Sequence, residues 1–165
     1  MGRKKVSRTR RGLSPFYAYF DGACEPTNPY GNMGVGACIY ARGKPDELAM
    51  CSEFYPADRK NSNNVAEYLG LSWILHWFID NELSDKPIDV YGDSMLVVQQ
   101  MEGRWRIKRG LYVDHALECL HLVKGYFPNI HFYWIPREDN VIADQLSKEC
   151  MKEHGVVFMI QPERE

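Results

Sequence analysis

Phe16-Tyr17-Ala18-Tyr19-Phe20-Asp21-Gly22 is the stretch on which the fold turns. Phe16, Ala18 and Phe20 alternate with Tyr17, Tyr19 and Asp21, so the two sets fall on opposite faces of an extended chain, the period-two pattern of a β-strand. The Asp21-Gly22 pair reads as its end. Next, Cys24–Asn32 carries Pro26, Asn28, Pro29 and Gly31, the chemistry of turns. Two more strand-like runs follow, Met33–Ala41 and Glu47–Tyr55, split by Gly43-Lys44-Pro45. Three strands in series with short connections predict an antiparallel meander.

Beyond Tyr55 the period lengthens. Val65, Tyr68, Leu69, Leu75 and Phe78 recur at helical spacing and predict an amphipathic helix over Asn64–Asn81, with Asn63 or Asn64 as its N-cap. Trp73, Trp77 and Phe78 on this helix are assigned to a helix–sheet core. Pro87–Tyr91 reads as a short buried strand ending at Gly92-Asp93, and Ser94–Met101 as the start of a short helix. A helix at Leu111–Tyr126, a strand at His131–Trp134 and a last helix from Asn140 to Lys152 complete the pattern. Meander, then helices alternating with strands, predicts an α/β fold whose mixed five-stranded sheet, three antiparallel strands then two parallel, is flanked by helices.

With 165 residues, 45% of them hydrophobic, the chain suits one globular domain that needs neither disulfide nor structural metal. The domain is expected over 15–152, between a basic arm at 1–14 and an extension at 153–165 that packs on the domain through the apolar run Val156–Ile160. No apolar run is long enough for a membrane span. Five scattered cysteines without a CxxC pair suit a reducing, cytoplasmic setting. Residues 1–12 hold six basic side chains and no acidic one, which leaves 14 basic against 22 acidic residues in the body. A body so acidic must concentrate positive charge locally to hold a polyanion.

Acids recur where elements start or stop: Asp21, Glu67 in the first turn of its helix, Asp93 after its strand, and Asp144 one turn into the last helix. Carboxylates gathered at one end of a sheet repel unless cations neutralise them. Hard oxygen ligands favour Mg²⁺ or Mn²⁺ over Zn²⁺. Two such ions about 4 Å apart form a phosphodiester-cleaving site. Acids at element ends are, taken singly, ordinary solvated surface.

The local wording sharpens this. Tyr19-Phe20-Asp21-Gly22-Ala23 with Asn28-Pro29, Asn63-Asn64-Val65-Ala66-Glu67, Val90-Tyr91-Gly92-Asp93-Ser94, and Trp134-Ile135-Pro136-Arg137-Glu138-Asp139-Asn140-Val141-Ile142-Ala143-Asp144 occur in that order. Over residues 15–150 the chain resembles the type 1 ribonuclease H family, in its compact archaeal and bacterial form. The resemblance implies a ribonuclease H-like fold and an endonuclease that hydrolyses the RNA strand of RNA–DNA hybrids, leaving 5′-phosphate and 3′-hydroxyl ends. It implies two Mg²⁺ ions, replaceable by Mn²⁺, with Asp21 bridging both. Glu67 and Asp93 would then serve the ion at the leaving 3′ oxygen, and Asp144 the ion that activates water. A monomer is expected. The competing reading is a non-catalytic nucleic-acid-binding module on the same fold, or a related nuclease with another substrate.

Discrimination of RNA needs a group that matches the 2′-hydroxyl as donor and acceptor, and an amide does. Asn28, Asn63 and Asn64 lie near Asp21 and Glu67 in the sequence motifs, and the resemblance implies that they contact the minor groove; either Asn63 or Asn64 can alternatively cap the helix. Arg104, Trp105, Arg106 and Lys108 interleave cations with an aromatic, a track for DNA phosphates with Trp105 on a deoxyribose, or else a solvated connector with Trp105 in the core. The long basic helix of some relatives is absent here. So is the histidine many carry in the loop before Asp144, where Arg137 is the one long cation and is expected to act on charge rather than carry protons. Gly31-Asn32-Met33-Gly34-Val35-Gly36 precedes a strand and reads as a turn, not a nucleotide loop. His115, Cys119 and His121 lack a second ligand pair for zinc.

Overall fold

The computed structural model describes residues 13–158. Strands β1 (Phe16–Glu25), β2 (Asn32–Ala41) and β3 (Ala49–Tyr55) are followed by helix α1 (Asn63–Asp80) and strand β4 (Ile88–Gly92). Helices α2 (Met95–Met101) and α3 (Val113–Tyr126), strand β5 (Ile130–Trp134) and helix α4 (Val141–Glu153) complete the order. The sheet runs β3-β2-β1-β4-β5, antiparallel across β3-β2-β1 and parallel across β1-β4-β5. This is the mixed sheet expected from the sequence, with most element ends within two residues of the expected ones.

The end of β1 is different. The strand does not stop at Asp21 but pairs with β2 from Phe16↔Ala41 through Glu25↔Asn32. Its parallel pairing with β4 does stop there, at Phe20↔Gly92. Asp21 and Asp93 are therefore the first residues past the last parallel pair, side by side on adjacent strands. Gly22, which reads as a turn signal, is instead a point of close approach.

Three glycines set the layers. A Cβ on Gly22 would lie 2.4 Å from the Glu67 backbone nitrogen, one on Gly34 1.8 Å from the Ser147 carbonyl oxygen, and one on Gly36 2.1 Å from that of Ala143. Gly22 pairs with Val35 whereas Gly36 pairs with Asp21, so the contacts lie on opposite faces of the sheet. Helix α1 thus rests on β1 from one side and α4 on β2 from the other, backbone against backbone. Gly34 and Gly36 lie inside β2; only Gly31 belongs to the turn, where its N–H donates to Thr27 at 3.0 Å.

The core lies between α1 and the sheet. Val65, Tyr68, Leu71, Ile74, Leu75 and Phe78 are buried, and Phe78 meets Phe16 edge-on at 5.8 Å. Trp73 and Trp77 are half-buried at its margin rather than inside it. Ser62, not Asn63 or Asn64, caps α1: its hydroxyl accepts from the Val65 N–H at 3.1 Å. Val156–Phe158 form no strand, and Val157 is exposed. The rest of that apolar run and the basic residues 3–11 lie outside the described residues. No helix among the described residues is long and apolar enough to cross a membrane.

Candidate active site

Four elements deliver one acid each to the same end of the sheet. Asp21 comes from β1, Glu67 from the first turns of α1, Asp93 from the end of β4 and Asp144 from the first turn of α4. Carboxylate oxygens of Asp21, Glu67 and Asp93 lie within 4.8 Å of one another, the one group among the described residues with the spacing to share a metal ion. Asp144 stands close enough to raise the pKa of both Asp21 and Asp93. All four line a cleft of about 920 Å³ together with Asn28, Asn63, Trp134 and Arg137.

Electrostatics reveal the strain in this arrangement. Burial, then the charges of Asp93 and Asp144, push the Asp21 carboxyl up to about 8. Burial and the neighbouring Asp21 and Asp93 push Glu67 well above the carboxylate range. Asp93 is also raised by burial, against the opposing pull of Arg137. One oxygen, Oε2 of Glu67, is buried with no hydrogen-bond partner. A buried carboxylate oxygen without a donor costs on the order of 1–3 kcal/mol. A divalent cation is the partner that chemistry supplies, since it neutralises the repulsion and satisfies the oxygen together. The residues present fit such an ion.

Around the acids, Asp144 is held by Lys148 at 3.0 Å and approached by Arg137 at 4.0 Å. The Lys148 contact follows from i,i+4 spacing on α4, a pairing readable in the sequence but not singled out there. Asn140, 1% exposed, donates its amide to the Phe20 carbonyl at 2.9 Å, tying the start of α4 to β1 beside Asp21. Its place four residues before Asp144 is the signal that could have marked it. The indole N–H of Trp134 donates to the Asp93 carbonyl at 3.1 Å and fixes one cleft wall.

The expected substrate residues divide. Asn28 and Asn63 line the cleft, and Oδ1 of Asn28 accepts the Asn63 backbone N–H at 3.0 Å. Asn64 is half-buried and off the cleft wall. Arg104 lines a smaller groove of about 270 Å³ that shares Trp134 with the main cleft. Trp105 is 49% exposed, so it is not core, and Arg106 and Lys108 are exposed on the same loop. Cys119 is buried against the Tyr68 carbonyl at 3.8 Å, in no metal-ligand cluster with His115 or His121.

A mixed five-stranded sheet with acids converging past its last parallel pair defines the ribonuclease H class of enzyme fold. Residues 19–150 match the model of the reverse transcriptase-like family. The solved N-terminal ribonuclease H domain of Rv2228c from Mycobacterium tuberculosis superposes with a TM-score of 0.72 at 30% identity, covering 82% of this chain and 98% of that one. The LC11 ribonuclease H1, solved in complex with an RNA/DNA hybrid, gives 0.73 at 29% identity over 84% and 98%. The bifunctional protein Rv2228c of M. tuberculosis is 34% identical over 124 residues, 75% of this chain and 32% of its own length. This chain therefore spans about a third of the curated relatives it matches first. It belongs to the type 1 ribonuclease H family and has that family's fold.

Proposed function

We propose that the chain is an endonuclease that hydrolyses the RNA strand of RNA–DNA hybrids with two divalent cations, Mg²⁺ foremost, leaving 5′-phosphate and 3′-hydroxyl ends. The observation that carries the reading is the trio Asp21, Glu67 and Asp93, crowded within 4.8 Å around a Glu67 oxygen that has no partner. Bound there, the cations stabilise the entering and leaving oxygens of an in-line displacement at phosphorus. Asp21, with Glu67 and Asp93 within 4.8 Å of it and Asp144 close enough to raise its pKa, would be the ligand shared by the cations. The hydrogen bond from the Asn63 backbone orients the Asn28 amide, leaving its NH₂ group to face a 2′-hydroxyl at the cleft wall. Arg137, half-exposed beside Asp144, supplies positive charge for a phosphate without a proton to exchange. The loop carrying Trp105, Arg106 and Lys108, with Arg104 at its start, holds phosphates of the other strand.

The test is a cleavage gel of end-labelled RNA–DNA hybrid, double-stranded DNA and double-stranded RNA, each with Mg²⁺ or with EDTA. Cleavage of the hybrid RNA strand alone, abolished by EDTA and by Asp21→Asn, is expected. Binding of hybrid without cleavage under any divalent cation would make the chain a non-catalytic module, and preferential cutting of another duplex would replace the substrate.

A further inference from the structure

The loop between α2 and α3 has an anchor inside the protein. Gln100 on α2 is 2% exposed, and its side chain makes three hydrogen bonds. Its Oε1 accepts from the Tyr68 hydroxyl at 2.5 Å, while its amide nitrogen donates to the Arg106 carbonyl and the Tyr112 hydroxyl, each at 3.1 Å. Tyr68 and Tyr112 stack on each other at 5.9 Å, so Gln100 is held between the two rings' hydroxyls. A buried amide whose oxygen accepts one bond and whose two N–H groups both donate has one orientation, and that orientation grips the loop near its middle.

The rest of the loop is pinned only near its ends. The N–H groups of Arg104 and Trp105 donate to the Gln99 carbonyl at 2.9 and 3.2 Å, and Gly103 and Gly110 take backbone angles of φ 75° and 148° that favour glycine. Ile107 packs against the core next to the anchored carbonyl. Arg104, Trp105, Arg106 and Lys108 all project outward, exposed. Without the Gln100 bond, the segment from Arg106 to Gly110 keeps the packing of Ile107 and, at its far end, the hydrogen bond from the Val113 N–H to the Gly110 carbonyl at 3.4 Å.

We infer that Gln100 is a positioning residue for substrate binding: by holding the Arg106 carbonyl it pre-forms the cationic loop, so that binding does not bear the cost of ordering it. The inference rests on the reading of this loop as a phosphate contact. A loop ordered only on binding weakens affinity by the entropy of ordering, without changing how many cations meet phosphates. Its signature is thus distinct from that of losing the cations: affinity falls while the salt dependence stays the same.

The experiment measures binding of an RNA–DNA hybrid of about 18 base pairs by fluorescence anisotropy across a salt series, in an Asp21→Asn background, alongside single-turnover cleavage at saturating hybrid in the otherwise native enzyme. Gln100→Met keeps the shape and removes the donor. It is expected to raise Kd by roughly 5-fold or more at every salt concentration, with an unchanged slope of log Kd against log salt, and to leave the saturated rate within about 2-fold. Tyr68→Phe is the matched control, because it breaks one of the two Gln100 bonds to the core tyrosines and leaves the loop bond in place; its Kd should stay near the parent value. Should Gln100→Met fail to fold, Gln100→Glu, which retains an acceptor for Tyr68 but has no donor for Arg106, is expected to give the same pattern. Parent-like affinity in a folded Gln100 variant overturns the inference, and so does an equal loss in Tyr68→Phe, which would mean general softening of the core. Alanine at Arg104, Arg106 and Lys108 together checks the underlying reading separately: it should flatten the salt slope by about 0.9 for each phosphate no longer neutralised. An unchanged slope there removes the loop from the substrate path, whatever Gln100 does.

Discussion

Gly22 and Glu67 meet at a point where no side chain fits: a Cβ on Gly22 would lie 2.4 Å from the Glu67 backbone nitrogen and from the Ala66 carbonyl carbon. The contact explains how an acid on a helix reaches an acid on a strand. Asp21 precedes the glycine and Glu67 sits above it, so the bare backbone at Gly22 lets α1 descend until the two carboxylates face each other.

Gly22→Ala is therefore expected to lift the start of α1 and separate Glu67 from Asp21. Overpacking of this kind costs about 1–3 kcal/mol. The melting temperature should fall by several degrees, and hybrid cleavage should fall further than stability alone explains. Gly43→Ala is the comparison, since nothing lies within 4 Å of its missing Cβ and only its φ of 85° is strained. Thermal melts and cleavage rates of the two variants, measured together, check the contrast; full activity in Gly22→Ala would refute it.

The raised acids make metal-free stability fall with pH. Asp21 has its folded pKa pushed up to about 8, by burial first and then by Asp93 and Asp144, against about 3.9 in the unfolded chain. An acid raised on folding favours the unfolded state once ionised, so stability is lost progressively as pH climbs from about 4 to about 8 and is level above that. Glu67 and Asp93 shift in the same direction. Melts in EDTA should show the melting temperature dropping across this window, with a shallower drop in Asp21→Asn and a higher melting temperature for that variant at pH 8. Saturating Mg²⁺ should reverse the drop, because the ion replaces the protons. A flat EDTA profile would contradict the clustering.

How much of this could be read from the chain alone depends on the range of the signal. Alternation around Phe16–Asp21 and the helical spacing of Val65, Tyr68, Leu75 and Phe78 are local, and both elements form as expected. The four acids were recognisable because each sits in distinctive local wording. What local pattern could not supply was contact between distant segments. Gly22, Gly34 and Gly36 read as turn or loop glycines, because the helices that press on them come 44 to more than 100 residues later in the chain. Ser62 takes the cap from Asn63 and Asn64 because its hydroxyl reaches Val65, while the Asn63 N–H is engaged by Asn28 from another loop. Gln100 carries no motif at all; only the fold shows that it faces two tyrosines and the Arg106 carbonyl.

Arg137 is the cation nearest the acids from the loop before α4, and it favours the ionised forms of both Glu67 and Asp93. Among the described residues no histidine lines the cleft: His131 bonds Asn129 and His154 stacks on Phe54 at 3.9 Å. Arg137→Ala is expected to slow saturated turnover by about 10-fold, equivalent to about 1.4 kcal/mol. His131→Ala and His154→Ala should leave the pH–rate profile unaltered. A histidine-like inflection that disappears in either variant would assign proton transfer to that residue instead.

Asn140 joins three of the four acid-bearing elements and should therefore act on rate more than on binding. Its amide donates to the Phe20 carbonyl at 2.9 Å, one residue before Asp21, and its side chain also helps to hold the Asp93 carboxyl down. Its own carbonyl accepts the Asp144 N–H at 3.2 Å, which sets the first turn of α4. In Asn140→Ala the backbone contact to Asp144 survives, but the tie to β1 does not, so α4 is free to shift relative to Asp21. The expected loss is about 1–3 kcal/mol of stability, the cost of leaving buried polar groups unpaired. The catalytic rate should drop while KM stays near the parent value, because Asn28, Asn63 and the loop cations are untouched. Asn140→Asp separates the hydrogen bond from the packing. It preserves shape, turns an oxygen toward the Phe20 carbonyl and adds an acid to a site that already disfavours charge. Such an acid has its folded pKa raised, so the variant should lose more stability at pH 8 than at pH 5 when metal is absent. Melts of both variants in EDTA at the two pH values, read with steady-state kinetics in Mg²⁺, decide the matter: a raised KM with an unchanged rate would move Asn140 from the metal centre to the substrate.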